Sequence, residues 1–150
     1  MINSYLREQI RLNFPYNPTE NQLFALKKLS DFLFDDNKNT LLLIKGYAGT
    51  GKTSLIGALV KTMNEFQQKS ILLAPTGRAA KVFSNYAEEK AFTIHKKIYR
   101  QKAFSNEPTG FVLNENMHKD TLFIVDEASM ISNEANGSSN FGSGHLLDDL

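Results

Sequence analysis

A glycine-rich segment of eight residues has the residue types needed to hold a phosphate group. Gly46-Tyr47-Ala48-Gly49-Thr50-Gly51-Lys52-Thr53 matches the pattern G-x-x-x-x-G-K-[ST]. Glycines let the backbone wrap closely around phosphate with its N–H groups pointing inward, and a helix that begins at Lys52 adds the positive end of its dipole. The Lys52 ammonium would reach the β- and γ-phosphates, and the Thr53 hydroxyl would bind Mg²⁺. The predicted ligands are therefore ATP and Mg²⁺, bound by Gly46, Ala48, Gly49, Thr50, Gly51, Lys52, Thr53 and Ser54.

Two adjacent carboxylates follow an apolar run further along the chain. Leu122-Phe123-Ile124-Val125 precedes Asp126-Glu127, and open α/β sheets bind their ligands at the carboxyl ends of strands. Asp126 is predicted to hold Mg²⁺, and Glu127 to orient and polarise an attacking water. Capping of the next turn is the alternative role for Asp126. A water-activating Glu favours hydrolysis over phosphate transfer to a bound substrate. The predicted catalytic residues are Lys52, Asp126 and Glu127.

The elements that position these residues follow from apolar runs and helical spacing. Wholly apolar runs are typical of strands buried on both faces of a parallel sheet, and Thr19 with Gln22 forms a capping-box pattern that starts a helix. The predicted strands are residues 41–44, 71–74, 122–125 and, in a small hairpin, 111–113; the predicted helices are residues 20–34, 54–66, 77–86 and a short one after Thr93. Strand, helix and strand over residues 41–74 form a β-α-β unit. The predicted fold class is α/β, with a mostly parallel sheet flanked by helices.

Composition limits the class of protein. A chain of 150 residues that is 41% hydrophobic is long enough for one compact domain. Its formal net charge of +1 gives no global field, so a nucleic-acid site would have to be a local patch. The absence of cysteine excludes disulfides and thiolate metal sites. No apolar run approaches the length of a membrane span, so we expect a cytoplasmic protein with no membrane partner.

Five segments in this order resemble superfamily-one DNA helicases of the RecD and Dda type. They are Thr19-Glu20-Asn21-Gln22, the phosphate loop at residues 46–53, Ala74-Pro75-Thr76-Gly77-Arg78-Ala79-Ala80-Lys81, Thr93-Ile94-His95 and Asp126-Glu127-Ala128-Ser129-Met130. The phosphate loop and acidic pair are common to many NTPases, whereas residues 74–81 and 93–95, together with the full segment 126–130, are much more specific. The resemblance covers residues 17–150.

The resemblance implies a RecA-like P-loop NTPase domain in a motor that moves 5′ to 3′ on single-stranded DNA. Residues 1–150 would be a truncated N-terminal motor domain, with the C-terminal helicase domains of the same chain as partners. An arginine finger from the absent domain would be worth about 10³ to 10⁵ in turnover. The isolated chain should therefore bind ATP with little turnover, while the full-length protein acts as a DNA-dependent ATPase and helicase.

The same resemblance assigns further contacts. Gln22 would bind the adenine edge through its amide, and the alternative is that it only closes the capping box. Single-stranded DNA would be bound by Thr76, Gly77, Arg78, Thr93 and His95. Residues 78–102 carry seven lysines and arginines against two glutamates, which favours a strand-binding patch. A solvated surface face remains the alternative for these charges, and a core or capping role remains the alternative for His95.

Two other functions fit the phosphate loop. One is a nucleotide or small-molecule kinase, which would transfer phosphate to an acceptor and would not respond to DNA. The other is a regulatory module that senses nucleotide without turnover. Stimulation of ATP hydrolysis by single-stranded DNA separates the motor from both.

Overall fold

The computed structural model describes residues 2–37, 40–101, 110–133 and 142–150. The chain divides into two compact units, the first comprising Met1–Lys69 and Tyr86–Glu89 and the second Ser70–Asn85 and Lys90–Leu150. The helices are α1 (Ile2–Asn13), α2 (Glu20–Leu33), α3 (Lys52–Glu65), α4 (Gly77–Ala87), α5 (Ile94–Ile98) and α6 (Leu146–Asp149). The strands are β1 (Lys69–Ala74), β2 (Ala91–Thr93), β3 (Tyr99–Gln101), β4 (Phe111–Leu113) and β5 (Thr121–Val125).

In the first unit, α1 packs against both α2 and α3. Leu6 and Ile10 lie one turn apart on α1 and are buried, and Asn13 Nδ2 donates to Thr62 Oγ1 of α3 at 3.0 Å. Helix α1 has no counterpart among the elements predicted from the sequence, because charged residues interrupt its short apolar stretches. The four-residue spacing of Leu6, Ile10 and Phe14, all buried, is the signal that marks it.

Helix α2 begins as the sequence predicts. The Thr19 side chain accepts from the Gln22 backbone N–H while the Gln22 side chain accepts from the Thr19 N–H, which completes the capping box. The helix ends at Leu33, within one residue of the predicted end. Helix α3 also confirms its prediction: it begins at Lys52, where the phosphate-loop motif places it, two residues before the helical spacing of residues 54–66.

The predicted strand at residues 41–44 is wrong. These residues have no regular secondary structure, and the side chains of Leu41 and Leu43 are 87% and 57% exposed. A strand requires a neighbour to satisfy its backbone N–H and C=O groups, and the described elements lying wholly in this unit are helices. The segment before the phosphate loop is therefore unpaired, and the predicted β-α-β unit is not formed.

The second unit contains the three-stranded parallel sheet, in the order β2-β1-β5. Strands β1 and β2 are aligned with Leu72 opposite Ala91 and Ala74 opposite Thr93. Leu72, Leu73 and Ala74 are fully buried, as expected for the central strand of such a sheet. The strands predicted at residues 71–74 and 122–125 are thus confirmed as β1 and β5, and the fold is α/β.

A hydrophobic core connects the three strands of this sheet with α5 and α6. Ile71, Leu73 and Ile94 form its buried centre, with Phe92, Ile98, Val125, Ile131 and Leu146 packed against it. Strand β4 confirms the predicted hairpin, since it pairs antiparallel with β3. The Gly and Ser residues at 137–144 predict a flexible loop, and most of that stretch lies outside the described residues. Within the described ranges, none of the helices is both long and apolar enough to cross a membrane.

Candidate functional site

The phosphate loop turns at two glycines in the left-handed region. Gly49 has φ +79° and Gly51 has φ +84°, which L side chains rarely adopt. Between them, Thr50 is tied back to the start of the loop, because its N–H and its hydroxyl both donate to the Tyr47 carbonyl, at 3.3 and 2.8 Å. The glycine pattern is therefore a conformational requirement of this turn.

The loop leads into an uncapped helix end. Gly51 is the N-cap of α3 and has no side chain to accept from the first turn. The first helical hydrogen bond runs from the Leu55 N–H to the Gly51 carbonyl at 2.9 Å, so the N–H groups of Lys52, Thr53 and Ser54 have no partner within the helix. Unpaired amides together with the positive end of the helix dipole favour an anion. The residues present thus fit a bound phosphate chain.

Lys52 holds the beginning of the loop. Its Nζ donates to the carbonyls of Gly46 at 2.6 Å and Tyr47 at 2.9 Å. An ammonium has three N–H donors, so one remains for a phosphate oxygen while the other two keep the loop folded. These carbonyl partners carry no sequence signal, since every residue has a carbonyl group.

Gln22 links α2 directly to the phosphate loop. Its Oε1 accepts from the Thr19 N–H at 2.9 Å, and its Nε2 donates to the Thr50 carbonyl at 3.0 Å. The capping-box role is therefore confirmed. A side-chain amide has two N–H donors and two acceptor lone pairs, so one of each remains available for the edge of a base.

Alanine at Gly51 tests this link. A Cβ there would lie 2.6 Å from Gln22 Nε2, whereas a Cβ at Gly49 would meet nothing within 4 Å. Both variants carry the left-handed penalty of about 1–2 kcal/mol. We expect Gly51→Ala to lower the free energy of unfolding by a further ~1 kcal/mol, because Gln22 must rotate away and lose its bond to Thr50. Urea unfolding of the two variants without nucleotide measures the difference; equal losses would contradict the link.

In the second unit, the acidic pair follows β5 directly. The Asp126 N–H donates to the Leu73 carbonyl of β1 at 3.0 Å, and Asp126 Oδ1 accepts from the Glu127 N–H at 2.9 Å. Glu127 has φ +53° and is itself the N-cap of the 3-10 turn Ala128–Met130, with no side-chain capping bond. Asp126 therefore does not cap that turn. The same positive φ occurs at three other non-glycine residues among those described, Gln67, Glu88 and Asp120, so it does not by itself mark a functional site.

The predicted DNA contacts lie at the same edge of the sheet as Asp126. Thr76 follows the carboxyl end of β1, and Thr93 is the last residue of β2. Each threonine caps a helix: Thr76 Oγ1 accepts from the Ala79 N–H and Thr93 Oγ1 from the Lys96 N–H, both at 3.2 Å. These bonds hold both hydroxyls at helix starts.

The other three DNA candidates differ in exposure. Gly77 and Arg78 are exposed in the first turn of α4. His95 is half-buried in α5, and its ring centroid lies 5.7 Å from that of Tyr99. Its side chain is therefore held against a neighbouring ring rather than free in solvent.

Comparisons with known proteins identify a family whose model matches more than half of the chain. The model of a family described as an AAA domain matches residues 31–137, which contain both the phosphate loop and the acidic pair. An uncharacterized protein of Methanocaldococcus jannaschii is 34% identical over an alignment of 114 positions that covers 67% of this chain. The chain spans 9% of the length of that relative. No solved structure shows a significant match. Since the family match covers more than half of the chain, the chain belongs to the AAA-domain family of P-loop NTPases.

Proposed function

We propose that this chain is the ATP-binding motor domain of a DNA helicase that translocates 5′ to 3′ on single-stranded DNA. The proposal of ATP binding rests on the uncapped start of α3, which follows the left-handed glycines Gly49 and Gly51. The helicase part is supported by the specific segments around Thr76, His95 and Asp126. DNA-dependent hydrolysis of ATP is the activity that accounts for both the nucleotide site and the helicase segments.

The nucleotide is bound by its phosphates and by its base. The N–H groups at the start of α3 and the third Lys52 donor bind phosphate oxygens, which concentrates positive charge where negative charge develops during phosphoryl transfer. Gln22 binds the adenine edge with its remaining donor and acceptor. Its bonds to Thr19 and Thr50 fix the orientation of the amide before the base arrives.

Hydrolysis requires a positioned water and charge compensation on the phosphates. The sequence motifs assign Mg²⁺ to the Thr53 hydroxyl and the Asp126 carboxylate, and the metal, when bound, offsets phosphate charge. Glu127 orients the attacking water and accepts its proton. The bond from the Glu127 N–H to Asp126 Oδ1 fixes the Asp126 carboxylate against the backbone of Glu127.

Single-stranded DNA is bound at the carboxyl edge of the sheet in the second unit. The Thr76 hydroxyl, the amide of Gly77 and the Arg78 guanidinium contact backbone phosphates at the start of α4, where the helix dipole also favours an anion. Thr93 and His95 contact the strand at the start of α5. Because these contacts are with phosphates, binding should weaken steeply with salt and depend little on base sequence.

Addition of single-stranded DNA is the experiment that tests the proposal. We expect single-stranded DNA to raise ATP hydrolysis by the full-length protein many-fold at low salt. The rate should fall again as added salt displaces the DNA. Phosphate release measured with and without oligodeoxythymidine reads this directly, and Arg78→Ala should reduce the stimulation. Hydrolysis that ignores DNA at low salt, or phosphate transfer to a small acceptor, would instead favour a kinase or a nucleotide sensor.

A further inference from the structure

Tyr99 forms a hydrogen bond that the proposed reaction does not use. Its hydroxyl donates to Asp149 Oδ2 at 2.6 Å across 50 positions in the sequence, and the Tyr99 side chain is buried. The bond from Tyr99 lowers the pKa of the Asp149 carboxyl, while burial, together with this bond, raises the pKa of the Tyr99 hydroxyl. The pair is thus a neutral phenol donating to a carboxylate, which is among the stronger kinds of hydrogen bond.

The carboxylate that receives this bond is itself held in place. Asp149 Oδ2 also accepts from the Ser143 N–H at 3.0 Å. The segment that carries Asp149 is bound to Asn133, whose side-chain oxygen accepts from the Leu147 N–H at 3.1 Å and whose carbonyl lies 2.8 Å from His145 Nδ1. The Tyr99 hydroxyl is therefore bonded to a carboxylate, that of Asp149, which has further hydrogen bonds holding it in place.

The aromatic ring of Tyr99 lies against the imidazole ring of His95. The two ring centroids lie 5.7 Å apart at an interplanar angle of 44°, within the range of favourable contact between aromatic rings. A Tyr99 ring fixed at its hydroxyl presents a fixed surface to the imidazole, so fewer His95 rotamers remain open. Ile94, immediately before His95, is fully buried in the core of the unit, which holds the backbone at this point.

We propose that Tyr99, held by Asp149, is a positioning residue that orients the His95 imidazole for contact with single-stranded DNA. This inference rests on the proposed function. Its value to the protein is entropic: an imidazole already confined to the bound orientation loses less freedom when the strand arrives. Neither Tyr99 nor Asp149 needs to touch the DNA.

A double-mutant cycle tests the proposal through DNA affinity. We expect Tyr99→Phe to weaken binding of a fluorescent oligodeoxythymidine by about three- to tenfold, since it removes one hydrogen bond and keeps the ring. In a His95→Ala background, the same substitution should change affinity no further. A merely structural role would weaken binding by the same factor in both backgrounds, and that result, or no loss at all, would overturn the proposal.

Matched variants separate the hydrogen bond from other effects. Asp149→Asn keeps an oxygen that can accept from the Tyr99 hydroxyl, so its DNA affinity should stay near that of the unmodified chain. Asp149→Ala removes the acceptor and should reproduce Tyr99→Phe, and it replaces that variant if Tyr99→Phe fails to fold. Tyr86→Phe removes a hydroxyl from a side chain that is 63% exposed and should have no effect.

The imidazole signals of His95 keep the proposal testable if the chain does not bind DNA. Nuclear magnetic resonance should then show the His95 signals shifting in Tyr99→Phe while those of His118, whose ring contacts Phe123, stay in place. Such a shift without DNA binding would mean that the positioning holds and the proposed function fails. Unmoved His95 signals would overturn the positioning itself.

Discussion

Substitution of Lys52 by alanine is expected to abolish measurable MgATP binding by this chain. The ammonium supplies a charge-assisted bond to phosphate, and its bonds to the Gly46 and Tyr47 carbonyls keep the loop folded. Bonds to charged groups contribute roughly 1.5–3 kcal/mol each. Loss of the phosphate contact and disordering of the loop should together reduce affinity by about 10² to 10⁴. Isothermal titration calorimetry with MgATP measures this loss.

The control lies on the same helix. Lys61 is exposed on α3, and Lys61→Ala removes the same charge from the same element without touching the loop. Its nucleotide affinity should remain that of the unmodified chain. Near-normal affinity of Lys52→Ala would show that the loop is not the phosphate site, and the proposed function would then lose its basis.

A second large effect is expected for Glu127→Gln, which should spare nucleotide binding and stop hydrolysis. The substitution keeps the size of the side chain but removes its ability to accept a proton, and general-base catalysis is typically worth about 10² to 10⁴ in rate. The fall should appear in kcat, with MgATP affinity unchanged. The measurement is phosphate release by the full-length protein in the presence of single-stranded DNA.

Two comparisons make this prediction specific to Glu127. Glu115→Gln neutralises an exposed carboxylate in the same unit and should leave turnover unchanged. In Asp126→Asn, ATP hydrolysis should instead increase less as the Mg²⁺ concentration is raised, because Asp126 is the proposed metal ligand. Unchanged turnover in Glu127→Gln would remove this residue from the base role while leaving nucleotide binding by the loop intact.

The phosphate loop and the acidic pair are assigned to one reaction by their sequence motifs, and both lie within residues 31–137, which the family model matches. The N–H groups of the first turn of α3 have no partner within that helix, and the Asp126 carboxylate accepts a bond from the Glu127 N–H. The relative named above is 34% identical over 114 residues and carries no assigned function, so DNA stimulation remains the decisive measurement.

Elements set by short-range interactions were predictable from the residues alone. The capping box of Thr19 and Gln22 acts within one turn, and helix α2 begins where that pattern places it. The apolar run within β1 and the glycines at positions 49 and 51 likewise express local requirements of burial and backbone angle. The α/β class, the phosphate loop and the acidic pair after β5 all follow from such signals.

Pairing between distant segments was decided by the tertiary structure. The apolar run at residues 41–44 looks like a buried strand, yet Leu41 is 87% exposed, because strand formation depends on a neighbour that a local pattern does not specify. The Lys52 contacts with loop carbonyls, the bond from Gln22 to Thr50 and the bond from Tyr99 to Asp149 also depend on how the chain folds. Residue types and spacing thus determined which chemistry this protein carries, whereas the fold decided which partners hold each group, because a hydrogen bond depends on the spatial position of both atoms.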